Sequence, residues 1–186
     1  MKSEIEARLL ECDVKTTLHK LKELNAEFVG DWLQIRNCYD FHPAKENSWI
    51  RLRTNGQETT LTIKEITTNK IDGTKECEIV VSDFDKTDEI LNKLGYTARS
   101  KQENRRIRFM LDSVEVDIDF WPKIPAYIEF EAETEDKIKA VCKKLDIDFN
   151  KLTTIDVQSI YLNYGIDLNK IPIVCLEESK KQKFEV

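Results

Sequence analysis

Val114-Glu115-Val116-Asp117-Ile118-Asp119-Phe120 sets an apolar side chain at every even position and a carboxylate at each odd one between them. Successive residues of a strand face opposite sides, so Glu115, Asp117 and Asp119 share one face. The alternation recurs on either side of this stretch. Glu129, Glu131 and Glu133 alternate with Ile128, Phe130 and Ala132, and Arg106 and Arg108 with Ile107 and Phe109. Towards the N-terminus, Glu4, Glu6 and Arg8 stand opposite Ile5, Ala7 and Leu9, and Arg51 and Arg53 opposite Ile50 and Leu52. Lys64, in line with Thr60 and Thr62, stands opposite Leu61 and Ile63; Glu76 and Glu78 flank Cys77, which is expected in the core. Seven strands thus carry one charged and one apolar face.

On a single antiparallel strand the charged face is ordinarily the solvated one. Two features argue otherwise for the set. Carboxylates recur two apart as Glu-Ile-Glu, Asp-Ile-Asp and Glu-Phe-Glu, an arrangement that repels itself unless something cationic neutralises it. Four helices are also available to cover the apolar faces. The first runs from Asp13 to about Leu24, with Val14, Leu18, Leu21 and Leu24 as its stripe; the second from Asp83 or Asp85 to Leu94, closed by Gly95. The third spans about Glu135–Leu145, carrying Ile138, Val141 and Cys142 on one face, and the fourth Asp156–Tyr164. Turn signals at Asn55-Gly56, Asp72-Gly73 and Asp112-Ser113 separate the strands. The expected fold is α+β: a closed antiparallel β-barrel, or tunnel, of about eight strands with helices packed outside. Residues 1–168 are expected to form this domain. Residues 169–186, which include the charge run from Glu177 to Lys183, read as a mobile tail.

Composition narrows the function. With 29 basic and 35 acidic residues the net charge is -6, which disfavours nucleic acid as a partner. The 186 residues hold five cysteines with no CxxC pair and only two histidines, arguing against a disulfide framework and a zinc site. No apolar run is long enough for a membrane span, and Met1 leads directly into polar residues, so a cytoplasmic monomer or homodimer is expected. The phosphate-binding and nucleophile motifs GxxxxGK[ST], GxGxxG and GxSxG are absent. A phosphate ligand would therefore be held by side chains. A tunnel of carboxylates and basic groups suits a polyphosphate: carboxylates supply oxygen ligands to Mg²⁺ or Mn²⁺, and arginine and lysine grip phosphate oxygens.

The order and spacing of these motifs resemble the CYTH superfamily, the triphosphate tunnel metalloenzymes, over residues 2–164. That family opens on Glu-x-Glu-x-Lys, where this chain has Glu4-Ile5-Glu6-Ala7-Arg8. Arg51-Leu52-Arg53, Thr62-Ile63-Lys64, Glu76-Cys77-Glu78, Arg106, and Asp119 ten residues before Glu129-Phe130-Glu131 resemble its later motifs. The resemblance implies a metal-facing set of Glu4, Glu6, Asp119, Glu129 and Glu131. It implies that Arg8, Arg51, Arg53, Lys64 and Arg106 hold the triphosphate, with Lys64 and Arg8 as catalytic candidates. Glu76, Glu78, Lys101 and Asp117 would support them. Trp121 to Tyr127 resembles the adenylyl-cyclase-like branch, which makes ATP cyclisation to cyclic AMP and pyrophosphate the first expectation. Hydrolysis of tripolyphosphate, thiamine triphosphate or a nucleoside triphosphate is the second, and non-catalytic binding the third. The departure is Arg8, which clamps phosphate but cannot act as a base. Trp32, Tyr39, Trp49, Trp121 and Tyr127 are aromatic groups for a base to stack on, or core residues. Removing Glu4 or Glu129 is expected to abolish metal-dependent turnover and leave the fold intact.

Overall fold

A computed structural model describes residues 1–181, except the side chains of Lys2 and Ser179. The strands are β1 (Lys2–Leu9), β2 (Glu27–Tyr39), β3 (Ser48–Thr54), β4 (Thr59–Ile66), β5 (Thr74–Val81), β6 (Ala98–Leu111), β7 (Val114–Phe120), β8 (Tyr127–Ala132) and the short β9 (Ile173–Val174). Their order is β2-β3-β4-β5-β1-β8-β7-β6, and β2 pairs back onto β6, closing an eight-stranded antiparallel barrel. The turns follow local chemistry. Asp112 and Ser113 both take positive φ, as a two-residue hairpin matched to strand twist requires. At Asn55-Gly56 the connection is longer, because Asn55 Oδ1 accepts from the backbone of both Gln57 and Glu58 and holds residues 55–58 outside the ladder.

The helices are α1 (Val14–Glu23), α2 (Phe84–Lys93), α3 (Glu135–Lys144), α4 (Val157–Asn163) and α5 (Glu178–Lys181). Side chains of Asp13, Asp83, Thr134 and Asp156 cap the first four, each accepting from a backbone N–H of the first turn. Leu21 of α1 and Ile138, Val141 and Cys142 of α3 bury themselves against Ile107, Val116, Ile118, Ile128 and Phe130, the outward faces of β6, β7 and β8. Leu91 of α2 joins Tyr39, Ile50 and Leu52 outside β2 and β3. The cover is incomplete over β5. Cys77 is exposed rather than in the core, and its outward neighbour Ile79 is 56% exposed.

The segment beyond residue 168 also departs from expectation. β9 pairs in parallel with β6 at Lys101 and Gln102, and Val174 and Leu176 are buried. Lys180 Nζ donates to the carbonyls of Trp121 (2.7 Å) and Ile124 (3.1 Å). The chain through Lys181 is docked on the barrel, while residues 182–186, the end of the expected tail, lie outside the described residues.

Candidate active site

The barrel encloses a cavity of about 300 Å³ lined mainly by the inward faces of its strands, with Trp121 and residues of the segment around α4 at its edge. Strand parity places Glu4, Glu6 and Arg8 from β1, Arg51 and Arg53 from β3, Lys64 from β4 and Glu76 and Glu78 from β5 on the lumen. Arg106 from β6 and Glu129 and Glu131 from β8 complete the predicted lining residues. Asp117 and Asp119 have the same inward parity but sit behind it. Both are buried, Asp119 at 0% exposure, and held by arginines. Lys101 has the opposite parity and is exposed on the outer face, so it is not part of the lumen.

One wall is acidic. Across β1, β8 and β7 the register sets Glu6 directly opposite Glu131, and Glu131 directly opposite Glu115. Like charges so opposed are unfavourable without a neutralising cation. Burial, with Glu4, Glu115, Glu129 and Glu6 around it, pushes the Glu131 carboxyl up to about 7. Burial also raises Glu4, although Lys64 at 3.5 Å works against that shift. Glu6 is committed to Arg8 (2.7 Å) and to the Thr74 hydroxyl (3.1 Å). Glu129 accepts from Arg8 Nε (2.7 Å) and Arg106 (2.9 Å), which outweigh burial and hold it well below the usual carboxylate range.

The chemistry of this wall fits a hard divalent cation in part. It offers carboxylate oxygen at Glu4 and Glu131, while Glu115 beside them is paired with Arg108 at 2.6 Å. Among the described residues, however, no three His, Cys, Asp or Glu side chains already form a group that could hold a metal ion. Mg²⁺ keeps waters and is ordinarily held by one or two carboxylates together with substrate phosphates, which matches that partial set.

The facing set is basic. Arg51 lies 3.3 Å from Glu78 and 3.7 Å from Glu76, while among the described residues Arg53 has only Glu78, at 3.9 Å. Lys64 contacts Glu76, yet burial and the charge of Arg51 outweigh its carboxylate neighbours and bring its amine down to about 8. Arg53 is held well below the usual arginine range by Arg51, burial and Arg36. Arg8 is different. Its guanidinium binds Glu129, Glu6 and the carbonyl of Ile155 (3.0 Å), so it spans the base of the acidic wall. Arg106 is likewise enclosed by Asp117, Asp119 and Glu129.

Sequence reasoning missed Arg36 of β2, which lines the cavity and is 7% exposed. The signal was weak because Gln34-Ile35-Arg36-Asn37-Cys38 alternates amides, a thiol and one charge rather than charge against apolar residues. Glu115 and Arg108, on charged faces expected to turn inward but given no metal or phosphate role, also line the cavity. Of the aromatic residues, Tyr39 is core on the outer side, whereas Trp49, Trp121 and Tyr127 border the cavity.

Fold and site together are a closed eight-stranded barrel whose lumen sets carboxylates against guanidinium and ammonium groups. The chain belongs to the CYTH domain family, which it matches over residues 2–154. No curated protein matches it. Among solved structures, a conserved hypothetical protein of Pyrococcus furiosus superposes with a TM-score of 0.71 at 22% identity, covering 83% of this chain and 98% of its own. A candidate adenylate cyclase from Vibrio parahaemolyticus gives 0.73 at 14% identity, over 87% of this chain and 98% of its own. HpAC1 from Hippeastrum, for which a dominant triphosphatase activity is described, gives 0.58 at 14% identity, over 89% and 96%. At these identities the likeness is one of fold.

Proposed function

We propose that this chain is a metal-dependent enzyme that processes a triphosphate inside the barrel. The observation that carries the reading is the row Glu6–Glu131–Glu115 on one wall of a cavity that Arg51, Arg53 and Lys64 also line, where Arg53 is held well below the usual arginine range by neighbouring arginines and burial. A phosphate chain with a bound Mg²⁺ or Mn²⁺ neutralises both at once. The metal, when bound by Glu4 and Glu131 with phosphate oxygens, would supply charge neutralisation for a departing phosphate. Arg51 and Arg53 hold the phosphates by forked donors. Glu6 and Glu129 keep the acidic wall in place through Arg8. Lys64, with its amine near 8, is the group that can take up a proton from the attacking oxygen.

Two reactions fit that machinery. In cyclisation the ribose 3′-oxygen bonds to the α-phosphorus of ATP, the bond to the bridging oxygen breaks, and pyrophosphate leaves. Trp49, Gln158 and Asn169 at the cavity edge favour it, because a bare tripolyphosphate needs no aromatic or amide neighbour. In hydrolysis water attacks the terminal phosphorus, its bond to the bridging oxygen breaks with the diphosphate end as leaving group, and the terminal phosphate is released as orthophosphate. The cavity volume favours that reading, since about 300 Å³ is at the lower end of small-molecule sites, roughly 300–1,000 Å³. Mass spectrometry of products from ATP, GTP, thiamine triphosphate and tripolyphosphate with Mg²⁺ or Mn²⁺ decides between them. Cyclic AMP with pyrophosphate is the expected result. Orthophosphate establishes hydrolysis, and intact substrate throughout reduces the site to a binding module.

A further inference from the structure

Arg36 has no carboxylate partner among the described residues. Its guanidinium donates to two neutral amides, Gln34 Oε1 (3.0 Å) and Asn104 Oδ1, and lies 4.6 Å over the Trp121 ring. Its Nε is buried without a hydrogen-bond partner, and so is Trp121 Nε1 beside it. Buried donors in that state are costly unless something accepts from them. The β2–β3 register adds a second cost, because Arg36 sits directly opposite Arg53, and like charges so placed repel. Arg51 contributes a further buried, unpartnered Nε on the neighbouring inward position of β3. Arg106, by contrast, is enclosed by three carboxylates and Arg8 by two. Two opposed arginines, one of them without a carboxylate partner among the described residues, and an indole N–H without an acceptor are donors arranged for an anion.

We infer that Arg36, a residue outside the motifs that resemble the family's, joins Arg53 of β3 and Trp121 in a phosphoryl-binding position against the β2–β3 wall. It takes one phosphoryl group of a polyphosphate chain. A tetrahedral dianion between the two guanidiniums turns their repulsion into two charge-assisted interactions and gives the Arg36 and Trp121 donors an acceptor. Asn104, which accepts from Arg36 and donates to Asp119 (3.0 Å), fixes the guanidinium in place. This rests on the triphosphate reading above and extends it to a residue outside the motif set.

The test is isothermal titration of the full chain with tripolyphosphate in EDTA, which removes the metal contribution. Arg36→Gln keeps an amide to bond Asn104 and removes the charge. Lys101→Gln removes the same charge from the outer face of the adjoining strand. Arg36→Gln is expected to weaken binding by about tenfold or more, the scale of one lost charge-assisted contact. Arg36→Lys is expected to recover most of that loss, and Lys101→Gln to change affinity less than about twofold. Equal affinity of Arg36→Gln and wild type overturns the inference. So does an equal loss in Arg36→Lys and Arg36→Gln accompanied by matching drops in thermal stability, which marks a packing role. If wild type itself takes up no tripolyphosphate, with or without Mg²⁺, the triphosphate reading falls and this position falls with it.

Discussion

Glu129 and Glu4 face the same lumen but carry different burdens. Glu129 joins the buried guanidiniums of Arg8 and Arg106, so Glu129→Ala leaves both short of a carboxylate and is expected to cost about 3–5 kcal/mol. A loss of activity in that variant would not separate chemistry from unfolding, contrary to the expectation of an intact fold. Among the described residues Glu4 has only the 3.5 Å ion pair to Lys64, so Glu4→Ala is expected to keep the melting temperature within a few degrees and abolish metal-dependent turnover. Full activity of Glu4→Ala removes it from the metal set. Lys64→Arg separates grip from proton transfer: arginine stays charged, so binding is expected to persist while turnover drops about 10²–10⁴-fold and its rise through pH 8 disappears. Glu131 gives a stability test. Its carboxyl is raised from 4.5 to about 7, so the folded, metal-free chain holds a proton that the unfolded chain releases between those values. Stability should therefore fall as pH rises from 4.5 through 7 in EDTA. Glu131→Gln is expected to flatten that fall by about 1 kcal/mol or more, read from melting curves against pH.

Elements were legible where a period was clean. Period-two alternation placed the inward faces of β1, β3, β4, β7 and β8, and the capping aspartates marked the starts of α1, α2 and α4. The same rule excludes Lys101, which is an odd number of residues from Arg106 and which the resemblance had implied as a supporting residue. The C-terminal segment was not legible, since a two-residue strand has no period and its charge run conceals Val174 and Leu176. Burying those two side chains contributes about 1.5–3 kcal/mol each. Truncation after Leu168 is accordingly expected to lower the urea midpoint of the whole barrel by several kcal/mol equivalent, a loss that a detached tail would not produce.

At the scale of the whole molecule, the lumen sets like charges opposite one another at Glu6–Glu131–Glu115 and at Arg36–Arg53, and internal ion pairs relieve them only in part. Tripolyphosphate or ATP with Mg²⁺ should therefore raise the melting temperature, by about 2.7 kcal/mol equivalent at a ligand concentration one hundred times Kd. Absence of any shift across these ligands counts against the tunnel as a triphosphate site. By itself the sequence determined the closed barrel and the inward faces, because side-chain alternation is local and needs only the backbone's period of two. Only the tertiary structure decided which inward charges are free. Register placed Glu131 between Glu6 and Glu115, set Arg36 against Arg53, and locked Arg8, Asp117 and Asp119 into ion pairs. Whether a charge grips a ligand or braces the wall depends on neighbours across the sheet, up to 121 residues away for Arg8 and Glu129. Those neighbours are set by strand pairing, which spacing along the chain does not specify.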